Sequence, residues 1–222
     1  SPRWTQMFGY TAAEIPDRFE EWLKRVHPDD LAHIVMSTLQ RQIAGEIETY
    51  EFDHRVHHRD GNYRWIHARG SALRDEHGIV CRIAGWHTDI TERKREQEVQ
   101  ARRAQHAAFR VDISMALTER ASLPATLQRC TEAMVQHLHA AFARIWTIST
   151  GEQTLILQGS AGMYTHLNGA HARITVGTLK IGRIAQEQNP YLTNDVLNDS
   201  HINNREWARE KGMISFAGYP LI

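Results

Sequence analysis

The chain has 222 residues, room for one large or two small domains, and its 26 basic side chains balance 26 acidic ones. That balance argues against nucleic acid as the main partner, because phosphate binding needs a surplus of positive charge. A hydrophobic content of 41% excludes wholesale disorder, and no run approaches the roughly 18 apolar residues that a membrane-spanning helix requires.

The opening "SPRWTQMFGY" is neither an initiator methionine nor a signal peptide, so the chain reads as a piece of a longer protein. Cys81 and Cys130 make no disulfide framework, which points to a reducing, cytoplasmic setting. Fourteen histidines make the net charge sensitive to pH near 6.

Residues 1–45 read as helical. Asp29 or Asp30 stands where a helix cap is expected. Leu31, Ile34, Val35, Thr38, Leu39 and Gln42 then follow the spacing of one helical face, and Gly45 is placed to end the helix. The period changes at "TYEFDHRVHH", where Tyr50, Phe52, His54 and Val56 alternate onto one side of a strand. Asp60-Gly61 and Gly78 mark turns to a second strand, "YRWIHARGSALR", and a third, "IVCRIAGWHT". Residues 49–88 are therefore expected to form a three-stranded antiparallel meander packed on helices.

The segment 92–120, free of Gly and Pro, is expected to be one helix. Pro124 opens another, with Leu127, Cys130, Thr131, Met134, Leu138 and Ala141 on its apolar face. Strands are expected at 143–149 and 154–161, a helix near 177–188, a short helix at 203–211 and a final strand in "MISFAGYPLI". The fold class is α+β: two antiparallel-sheet domains joined by a long helix.

"HPDD", "YEFDHRVHHRDGNYRWIHARG", "RDEHG" and above all "GWHTDITERK" together resemble the C-terminal half of a PAS domain, whose Asp-Ile-Thr signature ends the sheet and starts an output helix. "ARIWTI", "LQGSAGMY", "VGTLKIGRIAQEQNPYLTNDV" and "ISFAGYPLI", after two opening helices, resemble a GAF domain. The resemblance implies a PAS unit over 1–91, a connecting helix over 92–120 and a GAF domain over 110–222. It also implies two strands upstream of residue 1, within about 20–30 residues at typical strand lengths, and further GAF elements after residue 222. Without the upstream strands, 79–88 is expected to present an open sheet edge.

A domain pair of this kind implies a cytoplasmic sensory module that relays a small-ligand or protein signal to an output domain, a histidine kinase foremost. The alternative is a cofactor- or nucleotide-binding regulatory module of a cyclic-di-GMP enzyme or transcription regulator. The expected ligand-facing residues are Phe52, His54, Val56, Trp65 and Ile83 in the first domain, and Met163, Tyr164, Lys180, Asn194 and Asp195 in the second. Asp89, Ile90 and Thr91 are expected to carry the signal to the helix. Along that helix Ile90, Lys94, Gln97, Ala101, Ala104, Ala108, Val111, Met115 and Thr118 follow a 3-4 spacing, a weakly apolar seam for a parallel homodimer through 92–118. No hydrolase elbow, phosphate loop or zinc-protease motif occurs, so no catalytic residue is assigned.

No cofactor is assigned either. Cys81 lies outside the motif that binds flavin in light-sensing PAS domains, Cys130 is on an early helix rather than where bilin-binding GAF domains carry their cysteine, and the pattern of cyclic-nucleotide GAF domains is missing. His27 and His33 are the haem candidates by location. His54 and His58 lack further ligands at zinc spacing, so no metal residue is assigned.

Overall fold

The computed structural model describes residues 2–11, 13–14, 19–149, 151–202 and 204–221, which divide into two compact units, 1–102 and 103–222. In the first, helices α1 (Pro2–Met7), α2 (Phe19–Leu23), α3 (Pro28–Asp30) and α4 (Met36–Ala44) precede strands β1 (Thr49–His57), β2 (Tyr63–Arg74) and β3 (Val80–Asp89). The strands form one antiparallel sheet in the order β1-β2-β3, which leaves β3 at its edge.

The helical spacing expected over 31–42 is present, with a difference. Residues Leu31–Val35 form a π-helical turn between α3 and α4, yet Val35 and Gln42 are still fully buried and Leu31 and Leu39 pack on the core. Gly45 caps α4 in the left-handed conformation, φ 81°, which a residue with a side chain adopts at a cost. The cap at the other end is not an aspartate. His27 Nδ1 accepts from the Asp29 N–H. Asp30 is instead buried against β1, where its carboxylate takes the Arg55 backbone N–H at 2.7 Å, Nε at 2.9 Å and Nη2 at 2.7 Å.

Alternation along β1 puts His54 and Val56 inward, paired across the sheet with Ile66 and Arg64. Phe8, Trp22, Val26, Val35, Val56 and Ile66 form the core beneath. Gly70 and Gly85 face each other across β2 and β3, and the Tyr50 ring lies over both: a Cβ at either position would stand 2.6–2.7 Å from its hydroxyl. The two glycines make a bare backbone floor for that ring.

Helix α5 (Thr91–Thr118) follows β3 directly and is a single helix of 28 residues. In the second unit its later turns and α6 (Leu123–Leu138) pack together with β4 (Phe142–Ser149) through Ala116, Cys130 and Ile145, with Ile113, Leu127 and Met134 around them. β4 pairs with β5 (Thr154–Gly162), which pairs with β6 (Arg173–Thr175). Helix α7 (Leu179–Glu187), β7 (Tyr191–Thr193), α8 (Arg205–Glu210) and β8 (Phe216–Gly218) complete the unit, and β7 and β8 form a two-stranded antiparallel sheet. The short strands β6 and β7 were not anticipated, and the final strand is three residues rather than ten.

Candidate functional site

Against the inner face of the first sheet five rings stand in contact. Ring centroids lie 5.5 Å apart for Tyr50–Phe52, 5.3 Å for Phe52–His54 and 5.7 Å for His54–His87. Trp22, from α2, stands 5.4 Å from His54 and 5.8 Å from His87. His54 is fully buried, and neither of its ring nitrogens meets a hydrogen-bond partner in the described residues; the Trp22 Nε1 is likewise unmatched. Burial foremost, with the neighbouring His87, pushes the His54 pKa down to about 4, so the ring is neutral at pH 7. Burial lowers His87 too, and raises the Tyr50 hydroxyl. A neutral imidazole with a free donor and a free acceptor is suited to a polar ligand.

Phe52, His54 and Val56 share this face as expected from their spacing. Ile83 shares it by register with Ala72 but is 39% exposed near the open edge. Trp65 does not share it. The β1–β2 register sets Trp65 opposite Arg55 and Ile66 opposite His54, so Trp65 points to the other side of the sheet. Sequence reasoning passed over Trp22 and His87. His87 was findable, since it alternates with Gly85 and Ile83 on β3, while Trp22 lies on a helix of only five residues.

The outer face carries the joint with α5. The Ile90 N–H donates to the Trp65 carbonyl at 2.8 Å, and the Trp65 N–H donates to Thr91 Oγ1 at 2.9 Å. The Thr91 N–H donates to Asp89 Oδ1 at 2.8 Å, and Ile90 and Thr91 are both buried. One turn on, Lys94 Nζ reaches Asp53 Oδ2 at 2.7 Å and stands 5.0 Å from the Trp65 ring centre. Asp53 also meets His67 Nδ1 at 2.8 Å. Burial works to raise the Asp53 pKa, but Lys94 and His67 outweigh it and hold the carboxyl below its ordinary value. Asp53 and His54 are neighbours on β1, one facing each side.

In the second unit the expected residues are dispersed. Lys180 is not open to an anion. Its Nζ sits 2.9 Å from Asp199 Oδ2 and lies over the Tyr191 and Phe216 rings, 4.1 and 4.7 Å from their centres. Burial works to raise Asp199, and the Lys180 ammonium, the His201 N–H and the Tyr191 hydroxyl together hold it well below the usual carboxylate range. Arg183, Glu187, Tyr191 and His201 line a small cleft beside this pair. Asn194 and Asp195 are exposed, and Asp195 serves a turn, accepting from the Asn198 backbone N–H and side-chain amide. Met163 is 44% exposed; Tyr164 is half-buried and its hydroxyl accepts from Trp207 Nε1 at 2.8 Å.

The family model for the PAS fold matches residues 1–87, and that for the GAF domain matches residues 122–222. The chain is a PAS domain followed by a GAF domain. Both are sensory, non-catalytic domain types. An uncharacterized protein of Sinorhizobium fredii is 32% identical over 109 residues, 49% of this chain and 12% of that protein. The blue-light-activated histidine kinase of Brucella ovis is 31% identical over 114 residues, 51% of this chain and 22% of the kinase. The chain thus spans less than a quarter of the length of either relative. Among solved structures, a sensory box histidine kinase/response regulator from Burkholderia thailandensis is 34% identical, with a TM-score of 0.42 over 48% of this chain and 78% of that one.

Of the haem candidates in the PAS unit, His27 caps α3 and His33 is exposed. His58 lies past the end of β1 and its Nδ1 accepts from the Asp60 N–H at 3.1 Å, so it does not converge with His54. Cys81 is exposed and donates to the Leu73 carbonyl at 3.3 Å. In the GAF unit, Cys130 is buried on α6, where burial pushes its thiol pKa up. Among the described residues, no three His, Cys, Asp or Glu side chains are arranged to hold a metal ion, and no helix is long and apolar enough to cross a membrane.

Proposed function

We propose that this chain is the cytoplasmic input of a signalling protein whose output is a histidine kinase. A small polar ligand at the PAS inner face contacts His54. The neighbouring Asp53 and the Asp89–Thr91 joint pass the change to α5, and α5 carries it onward as one strand of a homodimer stalk. The observation that carries this reading is the adjacency on β1: His54 carries two buried, unmatched ring nitrogens, and Asp53, one residue away, holds Lys94 of α5. Unmatched buried donors cost stability, so a site that keeps them is one in which a ligand supplies the missing partners.

The stalk is supported by what α5 leaves open. Gln105, Phe109, Asp112, Ile113 and Ala116 are at least half-buried, whereas Ala101, Ala104, Ala108, Val111 and Met115 are exposed. Ile90 and Lys94 are engaged with the PAS sheet, so the seam begins later than its spacing alone implied. Alanines bury little area, and weak packing is readily shifted by a coupling of about 1–3 kcal/mol.

Two measurements test the proposal. Ala101, Ala104 and Ala108 replaced together by Leu should convert the chain to a stable dimer in sedimentation; an unchanged monomer refutes the stalk. The full-length protein should transfer phosphate from ATP to itself, and Thr91→Val should uncouple that rate from ligand; a full-length protein without phosphotransfer refutes the kinase output.

A further inference from the structure

Arg144 is a cation of the GAF unit with no carboxylate beside it among the described residues. It stands on β4 next to Ile145. Ile145 packs against Cys130 of α6, so alternation sends Arg144 to the opposite face of the sheet. There its Nε donates to Ser160 Oγ at 3.2 Å, and this is the guanidinium's one hydrogen bond among the described residues. No Asp or Glu among them pairs with it, whereas Lys180 has Asp199, Arg129 has Glu119 and Arg173 has Glu152. The group is half-buried, and burial pulls its pKa below the ordinary arginine value, with only the Tyr164 hydroxyl acting the other way. A guanidinium withdrawn from water without a counter-charge is an unfavourable arrangement unless an anion visits it.

What surrounds it is aromatic. The guanidinium lies 5.8 Å from the Phe142 ring centre and 5.1 Å from that of Tyr164. Trp207, on α8, stands 6.1 Å from Tyr164 with the rings 30° apart, and 6.1 Å from Phe142. The Tyr164 hydroxyl accepts from Trp207 Nε1, which leaves its own proton available to a second acceptor. Met163 beside it is 44% exposed.

We infer that Arg144, Tyr164 and Trp207 form a binding site for a small organic monoanion, a carboxylate carried on a flat apolar body. The terminal N–H groups of a guanidinium match the two oxygens of a carboxylate. The Tyr164 O–H adds a donor, and the rings receive the body of the molecule. One unpaired positive charge matches one negative charge. A phosphate ester carries a second charge that this one guanidinium leaves unmatched. The inference rests on reading the chain as a small-molecule sensor and adds the ligand's class; its site lies in the GAF unit, apart from the PAS joint.

Titration calorimetry of the whole chain with benzoate, phenylacetate and hexanoate tests it, with phenyl phosphate and benzamide as comparators. At least one carboxylate should bind saturably, with phenyl phosphate and benzamide at least about tenfold weaker, the scale of one charge-assisted contact. Arg144→Gln should lose at least about tenfold in affinity while its thermal midpoint equals or exceeds that of the wild type. Arg144→Lys keeps the charge without the fork, and should fold and bind with intermediate affinity. Three carboxylates that fail to bind, unchanged affinity in folded Arg144→Gln, or a fall in midpoint for both variants would each overturn the site. None of these outcomes bears on the relay through Asp89–Thr91, which the phosphotransfer of Thr91→Val reads separately.

Discussion

Replacing His54 by Leu removes a fully buried imidazole with both nitrogens unmatched and leaves an apolar group of similar volume. In the unfolded chain the ring titrates near the ordinary 6.5; in the fold it titrates at about 4, chiefly through burial and then through His87, with Asp30 and Asp53 pulling weakly the other way. The unfolded state therefore binds the proton first. Stability is full above pH 6.5 and falls as the pH drops from there toward 4, by about 1.4 kcal/mol for each pH unit and about 3 kcal/mol in all. Urea unfolding at pH 7, 6 and 5 followed by near-ultraviolet circular dichroism measures this. The wild type should lose about 2 kcal/mol more than His54→Leu between pH 7 and pH 5. At pH 7 the variant should match the wild type or exceed it by about 1–3 kcal/mol, the cost of an unmatched buried polar group. Equal losses in the two proteins, or a variant several kcal/mol weaker at pH 7, would refute the account of His54 as a neutral, unpartnered ring.

Three further outcomes follow from the geometry. Thr91→Val strips the Trp65 N–H of its acceptor, which should cost about 1–3 kcal/mol and speed hydrogen exchange at the Trp65, Ile90 and Thr91 amides. Asp199→Asn leaves the Lys180 ammonium unpaired between two rings and should lower GAF stability in urea by about 3 kcal/mol. In the wild type that ion pair should persist at pH 5, because the Asp199 carboxyl is held well below its ordinary value and its contribution disappears only as the pH falls through the acid range. Gly85→Ala puts a Cβ 2.4 Å from the Arg69 carbonyl and 2.7 Å from the Tyr50 hydroxyl, so the thermal midpoint of the PAS unit should fall and the Tyr50 ring should shift, visible in its aromatic proton signals.

The long elements were legible and the tertiary choices were not. Alternation from Tyr50 to Val56 revealed the inward side of β1, because one uninterrupted strand keeps its parity. The same logic failed at Trp65. The connection 58–62 sets which parity of β2 faces inward, and a one-residue difference there reverses every side chain. Asp30 looked like a helix cap because capping is local, but its partner, Arg55, stands 25 residues on, beyond the reach of any helical spacing. Strands β6 and β7 have three residues each, too few to display a period. At the second candidate site, Lys180 was legible as a cation near a helix start, and its neutralisation by Asp199 was not. Arg144 drew no notice, since a lone arginine in a strand is an ordinary sight until its surroundings are known.

If β1 relays the signal as proposed, its two faces should make fold and signal separable by mutation. A strand residue advances the chain by about 3.3 Å, so the inner ring of His54 and the outer carboxylate of Asp53 are divided by a partition one peptide thick. The relay proposed here runs along β1 and does not require the packed core of Phe8, Val35 and Ile66 to move. Damage to that core should weaken the domain as a whole, whereas lesions at Asp53, Lys94 or Thr91 should leave a folded receiver that has lost its wire.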